Sequence, residues 1–288
     1  MAQNIYDTPA FFAGYSRLPR SVRGLAGAPE WASIRTMLPD PSGLRIADLG
    51  SGFGWFARWA AEAGAVSVVG YDLSDNMLTR ARTDNAHPAV RYERADLDGL
   101  ELPDASFDLV YSSLALHYVA DFGRLVGTIH RGLVAGARFV FTIEHPIYMA
   151  PSRPGFQDGD GGRLLWPVDQ YGDEGPRTTD WLAKGVVKYH RTLGTTLNTL
   201  IGTGFSVRHV EEWCPTAEQI AADPDLREDF ERPIFLLIGG VWADRLPRRL
   251  VMLTSDLVRG LMMLLVFAAL VFGSGSIWVL VALMAVYG

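Results

Sequence analysis

The stretch ADLGSGFGWF (47–56) limits what this chain can fold into more than any other. It joins an apolar run, LRIADLG (44–50), to an amphipathic one, WFARWAAEAG (55–64), which Gly64 closes. A strand that turns through glycines into a helix opens a βαβ unit. Gly50, Gly52 and Gly54 alternate along the turn, and without a Cβ the backbone there can bend tightly and approach a ligand. The same rhythm continues downstream. Strands are predicted at VSVVGYD (66–72), VRYERAD (90–96), FDLVYSS (107–113) and ARFVFTIE (137–144). Helices are predicted over 74–85, with Ser74 as cap and Asp75 in the first turn, and around 121–134. Runs such as SVVG and FVFTI are apolar at consecutive positions, as strands buried on both faces are. A helix over 194–202 precedes two last strands, 205–213 and 233–238. Together these predict an α/β fold: a Rossmann-like, seven-stranded, mostly parallel sheet with helices on both faces and an antiparallel edge hairpin.

Residues 146–190 interrupt the alternation, and 146–185 are rich in Gly, Pro, Asp and Trp. So long a stretch without a regular pattern reads as a lid on the substrate side. It carries Tyr148, Trp166, Tyr171, Trp181 and Tyr189, and aromatic walls suit a flat or apolar small molecule.

The turn also speaks to ligand chemistry. Its G-x-G-x-G spacing differs from the G-x-G-x-x-G that seats a pyrophosphate on a helix N-terminus. Asp48, two residues before Gly50, would repel a phosphate and suits a cation. Asp72 ends the second strand about twenty residues on, where a carboxylate can accept both hydroxyls of a ribose. Asp96 ends the third strand, and strand ends of such a sheet line its ligand crevice. Three carboxylates beside a glycine loop without lysine point to a positively charged nucleoside. The net charge of −6 gives no nucleic-acid footprint. The single cysteine, Cys214, leaves no internal disulfide and fits a reducing, cytoplasmic compartment. MAQNIYDTPAFF lacks the pattern of a signal peptide. No metal site is expected, because the histidines lack ligand spacing.

This set of motifs resembles the class I S-adenosylmethionine-dependent methyltransferases over about residues 5–238, nearest to the UbiE-like, type 11 group. VVGYDLSDNML, YERADLDGLELPDASFDLVYSSLALHYV and FVFTIEHPIY carry the resemblance in order and spacing. It implies S-adenosylmethionine as cofactor and in-line transfer of its methyl group to a small-molecule acceptor. It implies that the Asp48–Gly54 loop, Ser51 included, holds the methionine part. Asp72 would bind the ribose, with Leu73 and Met77 on the adenine. Asp96 and Leu97 would meet the adenine edge, and Ser113 would close the methionine end. Tyr15 matches an N-terminal element that folds over the cofactor, and Asp108 would be structural. A base is needed only where the acceptor must lose a proton, and His117, His145 and His190 are the candidates. His87, His130 and His209 read as surface or packing residues.

The last fifty residues read differently. GGVWADRLPRR (239–249) resembles the loop between the second and third helices of major facilitator superfamily transporters. Residues 250–272 and 276–288 resemble the third helix and the start of the fourth. The uninterrupted apolar run Leu261–Phe272 is shorter than the roughly 20 residues a span needs. One marginal transmembrane helix would have to include Asp256 and Arg259, which can pair at i, i+3. The expected organisation is a methyltransferase domain over 1–238 and a fused transporter-like fragment over 239–288. Two other readings follow: a cofactor-binding protein without transfer, and a membrane-associated enzyme of a lipid-like acceptor anchored through 250–288. One helix and part of a second cannot form a transport path.

Overall fold

The computed structural model describes residues 3–243 and, further on, residues 256, 257, 259–261, 263 and 264. The chain divides into two compact units, Met1–Ala243 and Asp244–Gly288. The first opens with three short helices, α1 (Pro9–Tyr15), α2 (Pro19–Val22) and α3 (Trp31–Met37). The alternating part follows: β1 (Arg45–Leu49), α4 (Trp55–Glu62), β2 (Ser67–Asp72), α5 (Asp75–Asp84), β3 (Val90–Arg94), β4 (Phe107–Ser113), α6 (Phe122–Gly132) and β5 (Leu133–Glu144). β1 to β5 pair in parallel in the order β3-β2-β1-β4-β5. The order reverses between β1 and β4, so a crevice opens beyond their carboxyl ends.

Each inner strand is buried on both faces. Ala47 and Leu49 pack with Val110, Phe139 and Phe141 beneath Leu125, Val126 and Ile129 of α6. Ile46, Val68, Leu109 and Val140 pack on the other face against Phe56, Ala57 and Ala60 of α4 and Leu78 of α5. Asp108 ties the starts of β1 and β4 together. It accepts from the Arg45 backbone N–H at 2.9 Å and from its guanidinium at 2.9 and 3.1 Å.

The predicted lid is more regular than its composition suggests. It contains α7 (Pro146–Met149), a two-residue ladder of β6 (Gln157–Asp158) and β7 (Leu164–Leu165), and a hairpin of β8 (Gly175–Trp181) and β9 (Ala183–His190). Then come α8 (Leu193–Thr203), β10 (Phe205–Ser206), β11 (His209–Trp213), α9 (Ala217–Ala222), α10 (Arg227–Glu231) and β12 (Phe235–Ala243). β12 runs antiparallel to β5. β10 and β11 meet its outer edge in one continuous register, Ser206 opposite Trp242 and His209 opposite Gly239. They are one edge strand broken at Val207–Arg208, which gives the seven positions predicted.

β12 passes the expected boundary at residue 238 and ends at Ala243, where the first unit also ends. A bulge against β5 between Ile238 and Val241 absorbs the first of these residues. A Cβ on Gly239 would lie 2.6 Å from that of Met37, so glycine is what lets the strand pass under α3. In the second unit, the described residues between 256 and 264 are helical, and Asp256 and Arg259 pair at 3.9 Å. The rest of 250–272 and 276–288, the stretches expected to be transporter-like, lies outside the described residues. Among the described residues no helix is long and apolar enough to cross a membrane.

Candidate active site

A cavity of about 290 Å³ opens where the sheet order reverses, lined from the ends of β1, β2, β4 and β5 and roofed by the N-terminal segment. One end belongs to the glycine loop. Gly50 has φ 74°, and a Cβ there would lie 2.2 Å from that of Ala115, so the loop and the segment after β4 touch only because Gly50 has no side chain. The Gly52 N–H donates to Asp72 Oδ2 at 2.8 Å, and the Ser74 N–H donates to Asp72 Oδ1 at 2.9 Å. Ser74 caps α5 as expected, accepting from the Met77 N–H at 3.1 Å.

Asp48 lies in the same wall, 2% exposed, and its Oδ2 has no hydrogen-bond partner among the described residues. Burial, then the neighbouring Asp72 charge, pushes Asp48 up to about 8. Burial pushes Asp72 up to about 6, against the backbone N–H donors that favour its charged form. Neither carboxylate pairs with a cation among the described residues, since Arg20 in the cavity lining is held by Glu30, so a positive ligand would relieve both.

The other end is aromatic with a charged pair at its base. The Tyr6 and Tyr118 hydroxyls meet at 3.2 Å, and Tyr15 packs edge-on to Tyr6 and Trp181. Glu144, the last residue of β5, lines the cavity and accepts from Lys188 Nζ at 2.5 Å through Oε1. Its Oε2 is buried without a partner among the described residues. Lys188 points inward from β9, its side chain 2% exposed, with Nζ 4.9 Å from the Trp181 ring centre. Burial raises Glu144 above its ordinary range, while Lys188 opposes the shift. Gln3 fastens the roof to the hairpin: its amide donates to Gly185 O and accepts from the Val187 N–H, both at 2.9 Å.

Tyr15, Asp48, Gly50, Ser51, Gly52, Asp72, Leu73, Met77, Asp96, Leu97 and Ser113 all line this cavity. Gly54 does not; it opens α4 at φ 80°, under the Tyr92 hydroxyl. The three histidines separate. His117 is buried in the cavity wall, and its Nδ1 accepts from the Glu144 N–H at 3.3 Å. Burial, then Lys188 and Arg191, hold it well below its ordinary range, so the ring is neutral with its proton on Nε2. His145 is not in the wall: Nδ1 caps α7 by accepting from the Ile147 N–H, and Nε2 bonds Glu212 at 2.8 Å. His190 is turned to Tyr171, with Nε2 2.9 Å from its carbonyl oxygen. Sequence reading passed over Glu144 and Lys188. The signals were a carboxylate at a strand end, as with Asp72, and a lysine in phase with Val186 and His190.

Residues 47–141 match the methyltransferase domain family. The crystal structure of an S-adenosylmethionine-dependent methyltransferase from Mesorhizobium loti is 60% identical, covers 76% of this chain and all of its own, and superposes with a TM-score of 0.73. An uncharacterised protein of Haemophilus influenzae is 31% identical over 247 residues, 82% of this chain and 95% of that one. A malonyl-[acyl-carrier protein] O-methyltransferase of Pectobacterium atrosepticum is 38% identical over 98 residues, 34% of this chain and 38% of that one. The chain therefore belongs to the class I S-adenosylmethionine-dependent methyltransferases, with S-adenosylmethionine as its cofactor.

Proposed function

We propose that the protein methylates a small, flat acceptor held at the aromatic end of the cavity. One observation carries this reading: a single cavity joins the carboxylate-lined glycine loop to the aromatic end that contains Glu144 and His117. The residues at the loop end fit the cofactor. The buried Oδ2 of Asp48 and the Ser51 hydroxyl have no hydrogen-bond partner among the described residues, and Arg20, which also lines the cavity, is taken up by Glu30. In this reading the loop from Asp48 to Gly52 holds the methionine part. Asp72, kept in place by two backbone N–H groups, takes the ribose. Leu73, Met77, Asp96 and Leu97 surround the adenine, and Ser113 and Tyr15 close the methionine end and the roof. Gly54 acts through the shape of the turn.

The chemistry that S-adenosylmethionine supplies when bound is a methyl group on positive sulfur, displaced in line with a neutral thioether as leaving group. The protein then needs mainly to position the acceptor and exclude water. The roof fastened by Gln3 and the ring cluster of Tyr6, Tyr15 and Trp181 serve both needs. The match to the acyl-carrier-protein methyltransferase spans too little of either chain to bring its acceptor here, and the aromatic lining favours a free small molecule. Mass spectrometry of metabolites that gain one CH₂ on incubation with enzyme and cofactor tests the reading. A product with that gain supports it, and its absence from protein that binds the cofactor favours binding without transfer.

A further inference from the structure

Most carboxylates in the described part of the chain are surface charges or engage backbone N–H groups. Glu144 differs. It ends a central strand, lines the cavity, gives one oxygen to a buried lysine and keeps the other buried and free. Burying an ion pair in this way costs stability unless every remaining lone pair is satisfied. The free oxygen thus marks a place for a hydrogen-bond donor that is not part of the chain. His117 cannot fill the role of base through Nδ1, which the Glu144 N–H already occupies. Its protonated Nε2 faces Glu144 at 4.0 Å. The groups around the carboxylate are Lys188 from the hairpin, His117 and Tyr118 after β4, and Tyr148 from α7.

Resting on the methyl-transfer reading, we propose that Glu144 is the catalytic proton acceptor for a neutral aromatic hydroxyl compound, and that Lys188 is its positioning residue. Three features select that class. The Glu144–Lys188 pair is neutral as a unit, so it favours neither an anion nor a cation. The walls around it are the rings of Tyr6, Tyr118, Tyr148 and Trp181, which suit a flat ring. A neutral amine already carries its attacking electron pair, so a buried base is needed only where the acceptor must shed a proton first or in step. In that step the O–H bond breaks and its proton bonds to Glu144 Oε2. The electron pair stays on oxygen and forms the new bond to the methyl carbon, whose bond to sulfur breaks as its electrons leave with the neutral thioether. Lys188 keeps the carboxylate charged and fixes its free oxygen toward the ring.

The test uses the full chain and a panel of phenol, 4-methylphenol, catechol and 2-naphthol, with benzoate and benzylammonium as charged controls. S-adenosylhomocysteine affinity is measured first by calorimetry. If the wild type does not bind it, the methyltransferase reading itself fails. If it binds, labelled methyl transfer to at least one phenol is expected, and none to the charged controls. Glu144→Gln should lower kcat for that phenol by about 100-fold or more, with KM and S-adenosylhomocysteine affinity within about fivefold. Glu144→Asp keeps a carboxylate and should retain transfer at reduced kcat, which decides the matter should Glu144→Gln fail to fold. Lys188→Met should move the acid limb of the kcat–pH profile upward by about 1 pH unit or more, because the nearby cation no longer favours the charged carboxylate. Binding without transfer to any phenol would overturn the proposal. So would a Glu144→Gln enzyme as fast as the wild type, or an acid limb unmoved in Lys188→Met.

Discussion

At the scale of single residues, Asp48 sets binding against stability. Its folded-state value of about 8 lies far above that of an unfolded aspartate. Below pH 4 both states hold the proton. Between about 4 and 8 the folded state keeps a proton the unfolded chain has lost, so stability falls as pH rises through that window. Asp72, raised to about 6, acts in the same direction over a narrower range. Asp48→Asn removes the larger part of this cost. We expect the unliganded variant to melt at least about 2–4 °C higher at pH 8, the shift that 1 kcal/mol gives a domain of this size, while binding the cofactor more weakly. Differential scanning calorimetry and a binding titration on the same variant check both halves. A sulfonium cation favours the charged carboxylates, so wild-type affinity for S-adenosylmethionine should rise between pH 6 and 8. Affinity for S-adenosylhomocysteine, which lacks that charge, should rise less. Parallel titrations across the range decide this.

At the scale of elements, the lid is clasped from outside the sheet. Arg232, just before β12, pairs with Asp229 at 2.9 Å and lies 4.4 Å from the Trp166 ring centre, 4.8 Å from Tyr148 and 5.2 Å from Phe156. A desolvated cation–π contact contributes about 2 kcal/mol, roughly 30-fold in a local opening equilibrium. Arg232→Ala should therefore speed proteolytic cleavage within 150–170 by about that factor, with S-adenosylhomocysteine affinity little changed, as limited proteolysis and calorimetry would show. Elements also explain what the sequence made legible. Asp48, Asp72 and Asp96 sit at strand ends fixed by the glycine loop and the βα rhythm, and all three line the cavity. Glu144 and His145 are neighbours, and which one faces the cavity depends on how the chain leaves β5. Pro146 starts α7 at once, and His145 turns back to cap it. The Lys188 partner of Glu144 is 44 residues away in a hairpin whose polar, threonine-bearing β8 gives little apolar signal. No local pattern reports such a pairing.

At the scale of the whole molecule, the sheet determines where the methyltransferase part can be cut. Residues 239–243 lie past the boundary expected from the sequence, yet they pair with β5, β10 and β11. A 1–243 protein should match the full chain in melting temperature of its methyltransferase unit and in cofactor affinity. A 1–238 protein loses those edge pairs and the Gly239–Met37 contact, and should melt lower; thermal denaturation of the two side by side distinguishes them. In the proposed reading the glycine loop and its carboxylates form a working cofactor site that opens directly onto the acceptor end. Isothermal titration of S-adenosylmethionine into the full-length protein and into Asp72→Ala tests it most directly. We expect one site per chain in the wild type and at least about a tenfold loss in Asp72→Ala, the effect of about 1.4 kcal/mol. No binding to the wild type, or full affinity in Asp72→Ala, would contradict it.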